Sequence, residues 1–195
     1  SSFTAQEELA FWLNAYNALV LLGVLSHWPI ESVQDVRRFV EPSGGFTFFY
    51  GLHFRLDGGT TSLAELENDV IRAQGDARIH AAINCASRSC PSLQARPFEP
   101  ETLNQQLEEV TRAFCNDTRH VRVDSEARTV QLSEIFDWFG SDFEDHAKRL
   151  GRPADVLAFV EAFAEPELEG QLGSARQEGW SREFVDYDWS LNRSR

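Results

Sequence analysis

The sequence of 195 residues lacks methionine, even at position 1, and has little positive charge. The missing methionine leads us to expect a piece of a longer or processed protein, whose start and any signal peptide lie outside it. Only 18 lysines and arginines stand against 31 acidic residues, which gives a net charge of −13. Such a surface repels phosphate backbones and anionic lipid heads, so we expect no nucleic-acid partner. Compartment and oligomeric state are left open.

A long uninterrupted apolar run is also missing. The most apolar stretch, AFWLNAYNALVLLGVLSHW, is broken by two asparagines and a glycine. Its central part, Ala18 to Leu25, is much shorter than the roughly 18 to 20 apolar residues that a membrane span needs. We therefore predict a buried helix and no membrane span. Thr4 and Glu7 have the spacing of a capping box at its start, and Pro29 favours its end.

Several motifs that would identify an enzyme class are absent. The sequence has no GxGxxG or P-loop after a strand, no HExxH and no GxSxG. It therefore gives no support to dinucleotide binding, nucleoside triphosphate binding, zinc proteases of that type, or hydrolases with a nucleophile elbow. No cofactor is implied by any motif.

The hydrophobic pattern predicts an α+β fold. The predicted elements are the first helix, a helical turn at Ser32–Phe39, strands at Phe46–Tyr50 and Leu52–Leu56, a helix with a Ser62–Glu65 capping box, a strand in the first half of DARIHAAINCASRSCP, a helix at Pro100–Phe114, a hairpin of HVRVD and TVQL, helices in SEIFDWFGSDFEDHAKRLG and PADVLAFVEAFAE, and an extended piece in REFVDYDW. Without regular alternation of strands and helices, this order predicts a mostly helical single domain over residues 1–195 around a small antiparallel sheet.

The stretch HAAINCASRSCP contains His80, Cys85 and Cys90, and thus two of the three cysteines. In a strand His80 and Cys85 point to opposite faces, and in a helix they lie about 140° apart. Neither geometry pairs them directly. The residues Ala86 to Ser89 are small or polar and can turn the chain back, so a local Cys-His pair would join His80 to Cys90. In such a pair the imidazole activates the thiol as a nucleophile.

Other interpretations of the same residues stay open. Cysteine is often a buried packing residue, which suits Cys85 and the helical Cys115. A disulfide between Cys85 and Cys90 requires the loop to fold back and an oxidising compartment. A zinc site is disfavoured because the ligand spacing lacks a CxxC knuckle, so we predict no metal.

Three polar residues outside this stretch are candidates for the same site. Asn14 and Asn17 lie on one face of the first helix, where they either bind neighbouring backbone or line a site. Glu67 lies beside the apolar stripe of its helix, and it either faces solvent or orients a histidine. Arg88 would add positive charge near a thiolate.

The chain resembles the DUF547 family, a domain of unknown function. Five motifs carry the resemblance in order: AFWLNAYNALV (Ala10 to Val20), SLAELENDVIR (Ser62 to Arg72), RIHAAINCASRSCP (Arg78 to Pro91), LSEIFDWFGSDF (Leu132 to Phe143) and YDWSLN (Tyr187 to Asn192). The motif positions include Asn14, Asn17, Glu67, His80, Cys85 and Cys90. One departure is Ala86, where the family pattern favours glycine.

These observations predict a thiol-dependent enzyme acting on an amide or thioester, similar to papain-like or transglutaminase-like enzymes by analogy of a Cys-His pair in an α+β domain. In that hypothesis Cys90 is the nucleophile, His80 the general base and acid, and Glu67 the orienting carboxylate. Asn14 or Asn17 would supply an oxyanion donor. A peptide or a small thiol-containing molecule would be the substrate. The alternatives are a non-catalytic binding or scaffold module with a buried polar network, and a thiol- or glutathione-binding redox protein.

Overall fold

The computed structural model describes residues 3–36, 47–56 and 58–193. The helices are α1 (Ala5–Ser26), α2 (Leu63–Glu65), α3 (Ile79–Ala82), α4 (Leu103–Cys115), α5 (Ile135–Trp138), α6 (Gly140–Arg149), α7 (Val156–Phe163) and α8 (Pro166–Glu178). The strands are β1 (His53–Leu56), β2 (Gly59–Ser62), β3 (Val121–Asp124), β4 (Thr129–Ser133) and β5 (Ser181–Val185). Short 3-10 helices occupy Val33–Asp35 and Arg72–Gln74, and π-helical turns occupy Thr47–Gly51 and Leu66–Ile71. The predicted α+β class, mostly helical, is confirmed.

Backbone contacts divide the chain into two compact units. The first unit contains Ser1–Gln74, Ala82–Leu103 and Asp188–Arg195, and the second contains Gly75–Ala81 and Asn104–Tyr187. The prediction of a single domain over residues 1–195 stays a prediction.

Helix α1 forms the core of the first unit. Its predicted capping box is confirmed, since Thr4 Oγ1 accepts a hydrogen bond from the Glu7 N–H and the Glu7 carboxylate accepts one from the Thr4 N–H. Farther along, a Cβ at Gly23 would lie 3.0 Å from the Phe48 ring. The glycine therefore leaves space for the Phe48 ring, which is fully buried.

The segment around Phe48 corrects one strand prediction. The structure places Thr47–Gly51 in a π-helical turn, closed by a hydrogen bond of 2.9 Å from the Leu52 N–H to the Thr47 carbonyl. Phe46, where the predicted strand began, lies outside the described residues. The aromatic run fits a strand by composition, but the turn lets Phe48 be buried. The next predicted strand is confirmed as β1, which pairs antiparallel with β2.

Helix α1 is long and apolar enough to cross a membrane by length and composition, although 44% of its most apolar window is buried in the structure. One such helix near the beginning of a chain is weak evidence, because the core helix of a soluble protein and a signal sequence pass the same test. The predicted absence of a membrane span therefore stays a prediction.

The second unit is organised around an aromatic core and a mixed sheet. The rings of Phe136, Phe143 and Phe159 are fully buried. The centroid of the Phe143 ring lies 4.9 Å from that of Phe136 and 4.8 Å from that of Phe159. The predicted hairpin is confirmed as β3 and β4, which are antiparallel. Strand β5 joins β4 in parallel. The described residues thus form two sheets, an antiparallel sheet of β1 and β2 and a mixed sheet of β3, β4 and β5.

The strand predicted in the first half of DARIHAAINCASRSCP is wrong. Ile79–Ala82 is a single helical turn, α3, followed by irregular chain through the cysteines. Its apolar residues fit a helical stripe as well as a buried strand, and hydrogen bonds from His80 and Ala81 to the carbonyls of Ala77 and Arg78 show which local structure forms. His80 belongs to the second unit, and the chain from Ala82 onward belongs to the first.

Candidate functional site

The sulfur atoms of Cys85 and Cys90 lie 2.9 Å apart in the first unit. This separation is that of two neighbouring thiols that no disulfide joins, since a disulfide bond is about 2.05 Å long. The Cys85 N–H also donates to the Cys90 sulfur at 2.8 Å. Cys90 therefore receives both a backbone N–H and the Cys85 thiol.

The loop between the cysteines folds back, as its composition predicted, and the described contacts return Cys90 to Cys85. Ala86 adopts a positive φ of 64°, which turns the chain directly after Cys85. The Cys90 N–H then bonds to the Ser87 carbonyl at 3.2 Å and closes a short turn. The buried Ser87 hydroxyl lies 2.9 Å from the Cys85 sulfur. This turn places the two sulfurs side by side.

Asn84, which the sequence analysis did not select, holds both ends of this loop. Its Oδ1 accepts a hydrogen bond from the Ala86 N–H at 2.8 Å, and its Nδ2 donates to the Pro91 carbonyl at 2.6 Å. Its own N–H donates to Asn17 Oδ1 at 2.8 Å, while Asn17 Nδ2 donates to the Ala82 carbonyl at 3.0 Å. Asn17 and Asn84 thereby form a buried polar network that fixes the cysteine loop to α1.

Asn14 makes a similar clamp farther along the chain. Its Nδ2 donates to the Phe98 carbonyl and its Oδ1 accepts from the Phe98 N–H, both at 2.8 Å. The asparagines were predicted either to bind neighbouring backbone or to line a site. The hydrogen bonds of Asn14 and Asn17 are with backbone groups. An oxyanion role for Asn14 or Asn17 stays a prediction.

The chain near the C-terminus contacts the outer side of the cysteine loop. The Arg88 N–H donates to the Ser190 carbonyl at 2.8 Å, and the Asn192 N–H donates to the Ala86 carbonyl at 3.0 Å. Asp188 accepts from the Ser89 N–H at 3.3 Å through its carbonyl. Arg88 is an exposed residue, and its backbone N–H makes the contact with Ser190. Asp188 to Asn192 lie in the YDWSLN motif. The place of this motif in the family resemblance was the sequence signal that could have marked these residues as part of the site.

Glu67 lies in the same unit and pairs with a buried tyrosine. The Tyr16 hydroxyl donates to Glu67 Oε2 at 3.0 Å. Burial, the Glu67 charge and the thiols of Cys85 and Cys90 together raise the pKa of Tyr16 well above its usual range. Tyr16 therefore stays a phenol that donates a hydrogen bond. Glu67 lies in the π-helical segment Leu66–Ile71, a local structure that is frequent at functional sites.

His80 lies in the second unit and is bound to a different carboxylate from the one predicted. Its Nε2 is 2.9 Å from Asp142 Oδ2, and its ring stacks on Phe139 with a centroid distance of 4.0 Å. Phe143 contacts the same ring. Asp142, Phe139 and Phe143 all belong to the LSEIFDWFGSDF motif, which the sequence analysis quoted without assigning a role to Asp142. The His80–Cys90 pair and the Glu67–His80 pair stay predictions.

Cys115 is completely buried, and this burial raises its pKa far above the usual range, as expected for a packing residue. Within residues 3–36, 47–56 and 58–193, no group of three or more His, Cys, Asp or Glu side chains could hold a metal ion.

Comparison with known protein families identifies the family of this chain. Residues 1–115 match the model of a family described as "Protein of unknown function, DUF547", which covers more than half of the chain. No curated protein and no solved structure matches.

Proposed function

We propose that this chain, which belongs to the DUF547 family of proteins of unknown function, is a thiol-dependent enzyme whose reactive group is the Cys85–Cys90 pair. The observation that carries the proposal is the 2.9 Å approach of the two sulfurs within a loop that hydrogen bonds hold at both ends. The chemistry that needs two adjacent thiols is thiol–disulfide exchange. The substrate class is then a disulfide of a small thiol or of a peptide.

The two cysteines would have different roles. Cys85 is half-buried, whereas Cys90 is buried with 5% of its surface exposed. Cys85, as its thiolate, attacks one sulfur of the substrate disulfide and forms a mixed disulfide, releasing the first product thiol. Cys90 then attacks Cys85, which releases the second thiol and leaves a Cys85–Cys90 disulfide. The substrate gains two electrons and two protons, and a thiol reductant of the glutathione class returns the enzyme to the dithiol.

Glu67 and Tyr16 supply the polar side of this site. The neighbourhood contains a carboxylate that can take up a thiol proton and a phenol that stays protonated and holds that carboxylate. We assign Glu67 the role of proton acceptor, with Tyr16 as its positioning residue.

A second candidate function is acyl transfer on an amide or thioester with Cys90 as nucleophile. It is favoured by the hydrogen bond between His80 and Asp142, because a histidine held by a carboxylate is a recurring part of thiol enzymes. Under this function His80 is the general base and acid, and Asp142 orients it.

A redox titration with intact-mass measurement tests the first function. We expect the wild type to lose two hydrogen atoms on oxidation by a glutathione-class disulfide. Cys85→Ser should abolish the mixed disulfide, whereas Cys90→Ser should trap it, because the resolving thiol is missing. Cys115→Ser is the matched control and should behave as the wild type. If the wild type formed no internal disulfide at any redox potential of the titration, dithiol chemistry would be refuted.

An acylation assay separates the second function from the first. If the protein transfers acyl groups, a thioester probe should label Cys90 covalently, the label should persist in Cys85→Ser, and His80→Asn should prevent it. Labelling that is equal in the wild type and in His80→Asn would contradict a histidine-activated nucleophile. Loss of both activities would leave the non-catalytic binding module as the better description.

A further inference from the structure

A cavity of about 430 Å³ is lined by residues of the second unit. It is lined by Arg78, Asn104, Glu108, His146, Leu150, Arg152, Ala162 and Phe163. This volume falls in the range of small-molecule sites, roughly 300 to 1,000 Å³. The lining combines two guanidinium groups and an imidazole with an apolar wall.

Arg78 has one edge that is firmly bound and one that is not. Its Nε and Nη2 bind the Asp76 carboxylate at 3.0 and 2.7 Å. Among the residues that the structure describes, its Nη1 contacts are long, at 3.5 Å to the Asn104 carbonyl and 3.9 Å to Glu108. Strong charge-assisted hydrogen bonds measure about 2.7 to 2.9 Å, so Nη1 retains donor capacity for a ligand.

Arg152 is bound loosely in the same way. It lies 3.5 Å from Glu161 and 3.4 Å from Glu169. Glu161 is buried, and its firmer partner is Arg176, whose Nε lies at 2.8 Å. Glu161 is thus neutralised without Arg152, which leaves the Arg152 guanidinium able to bind an anion.

His146 contributes a third donor. The residue is buried, with 8% of its surface exposed, and its Nδ1 accepts a hydrogen bond from the Ala77 N–H at 3.3 Å. Burial lowers the pKa of His146, and in the neutral tautomer whose Nδ1 accepts from Ala77 the ring proton is on Nε2. Among the described residues no hydrogen-bond partner of Nε2 is found. Because His146 lines the cavity, an N–H on Nε2 is a donor that an acceptor inside the cavity can bind.

We propose that this cavity binds a small organic carboxylate. The carboxylate accepts hydrogen bonds from the guanidinium groups of Arg78 and Arg152 and from the His146 ring. The hydrocarbon part of the ligand packs on the apolar wall of Leu150, Ala162 and Phe163.

A carboxylate fits this site better than a phosphate does. Glu108 lies in the same wall, and Arg112 holds its carboxylate at 2.9 Å. The remaining negative field opposes a doubly charged phosphate more than a singly charged carboxylate.

Titration with hexanoate, followed by the side-chain NMR signals of His146, tests this proposal in the full chain. Hexanoate should shift the signals saturably, whereas hexylammonium, of the same shape and opposite charge, should not. Inorganic phosphate should bind at least about tenfold more weakly than hexanoate. Arg152→Gln should weaken hexanoate binding by about tenfold, because it removes a charge-assisted hydrogen bond.

The matched control is Arg122→Gln, which removes an exposed arginine of β3 in the same unit. It should leave hexanoate affinity unchanged. Equal shifts from hexanoate and hexylammonium, or no saturable shift in the wild type, would overturn the proposal even if Arg152→Gln failed to fold. Phosphate binding tighter than hexanoate would overturn the carboxylate assignment. Equal loss of affinity in Arg152→Gln and Arg122→Gln would show that net charge alone attracts the anion.

Discussion

The cysteine loop of the first unit and the His80 pocket of the second unit are adjacent in sequence but are built on different physical principles. Hydrogen bonds from asparagine side chains to backbone groups hold the cysteines. Aromatic rings hold His80, with one carboxylate at its Nε2. Hydrogen bonding fixes the position of a loop backbone, whereas ring packing fixes the orientation of one side chain.

This difference indicates which substitutions each region tolerates. A polar network loses its geometry when one amide is removed, because each buried donor or acceptor that remains lacks its partner. A ring in an aromatic pocket keeps its position when a partial contact is lost, because the other rings still contact it. The cysteine loop should therefore be the more sensitive of the two regions.

Removal of the Asn84 side chain is the most severe test of the comparison. Asn84→Ala deletes the bonds to the Ala86 N–H and the Pro91 carbonyl, and it should lower the free energy of unfolding by about 4 kcal/mol. It should also slow formation of the Cys85–Cys90 disulfide. Urea unfolding and alkylation-trapped mass analysis measure the two effects. Asn104→Ala, at an exposed position on α4, is the control and should change stability by less than about 0.5 kcal/mol. Equal effects of the two variants would contradict a structural role for the Asn84 amide.

Acid should weaken the second unit through His120. Burial lowers the pKa of His120 to about 4, and its ring packs on Phe114 at 4.5 Å. The unfolded chain binds this proton near pH 6.5, so the unfolded state takes up protons first as the pH falls. Stability contributed by neutral His120 is complete above pH 6.5 and is lost down to about pH 4, by about 3 kcal/mol.

Unfolding free energies measured across this pH range test the effect. His120→Gln should flatten the profile, while His53→Gln, at an exposed position of β1, should not. A profile with the same slope in the wild type and in His120→Gln would rule out His120 as its cause.

Removal of the Asp142 carboxylate beside His80 should lower stability less than removal of the Asn84 side chain or protonation of His120. Asp142→Ala removes the acceptor 2.9 Å from the buried Nε2, and it should cost about 2 kcal/mol. The stacking on Phe139 should persist, so the fold should survive. Thermal unfolding of Asp142→Ala beside Asp145→Ala, an exposed control on the same helix, checks this expectation. If Asp142→Ala were as damaging as Asn84→Ala, the proposed contrast between the regions would fail.

The sequence predicted the elements whose signals are local. Capping boxes at Thr4 and Ser62 and the apolar stripe of α4 depend on residues within a few positions of each other, and all three are confirmed. The π-helical turn at Thr47–Gly51 was missed because burial of Phe48 beside Gly23 is a tertiary contact that overrides strand propensity.

The candidate site was predictable in its residues more than in its partners. The small and polar residues after Cys85 predicted that the loop turns back. Which group would contact Cys90 could not be predicted, because it depends on the whole fold. Asp142 is far from His80 in sequence, and Tyr16 is far from Glu67, so neither pair could be deduced from spacing. Motif membership alone marked the regions concerned.

The smallest expected effect concerns Ala86, a position where the resemblance to the family implies glycine. Its φ of 64° lies in the left-handed region, which costs a residue with a Cβ about 1 to 2 kcal/mol. Ala86→Gly should therefore raise the free energy of unfolding by about 1 kcal/mol, after the greater flexibility of glycine in the unfolded chain is subtracted. Ala81→Gly in the helical turn α3 should instead lower it by about 1 kcal/mol. Opposite signs in urea unfolding would establish that the cysteine loop keeps a glycine-type turn with an alanine in it, whereas destabilisation by both substitutions would contradict that conformation.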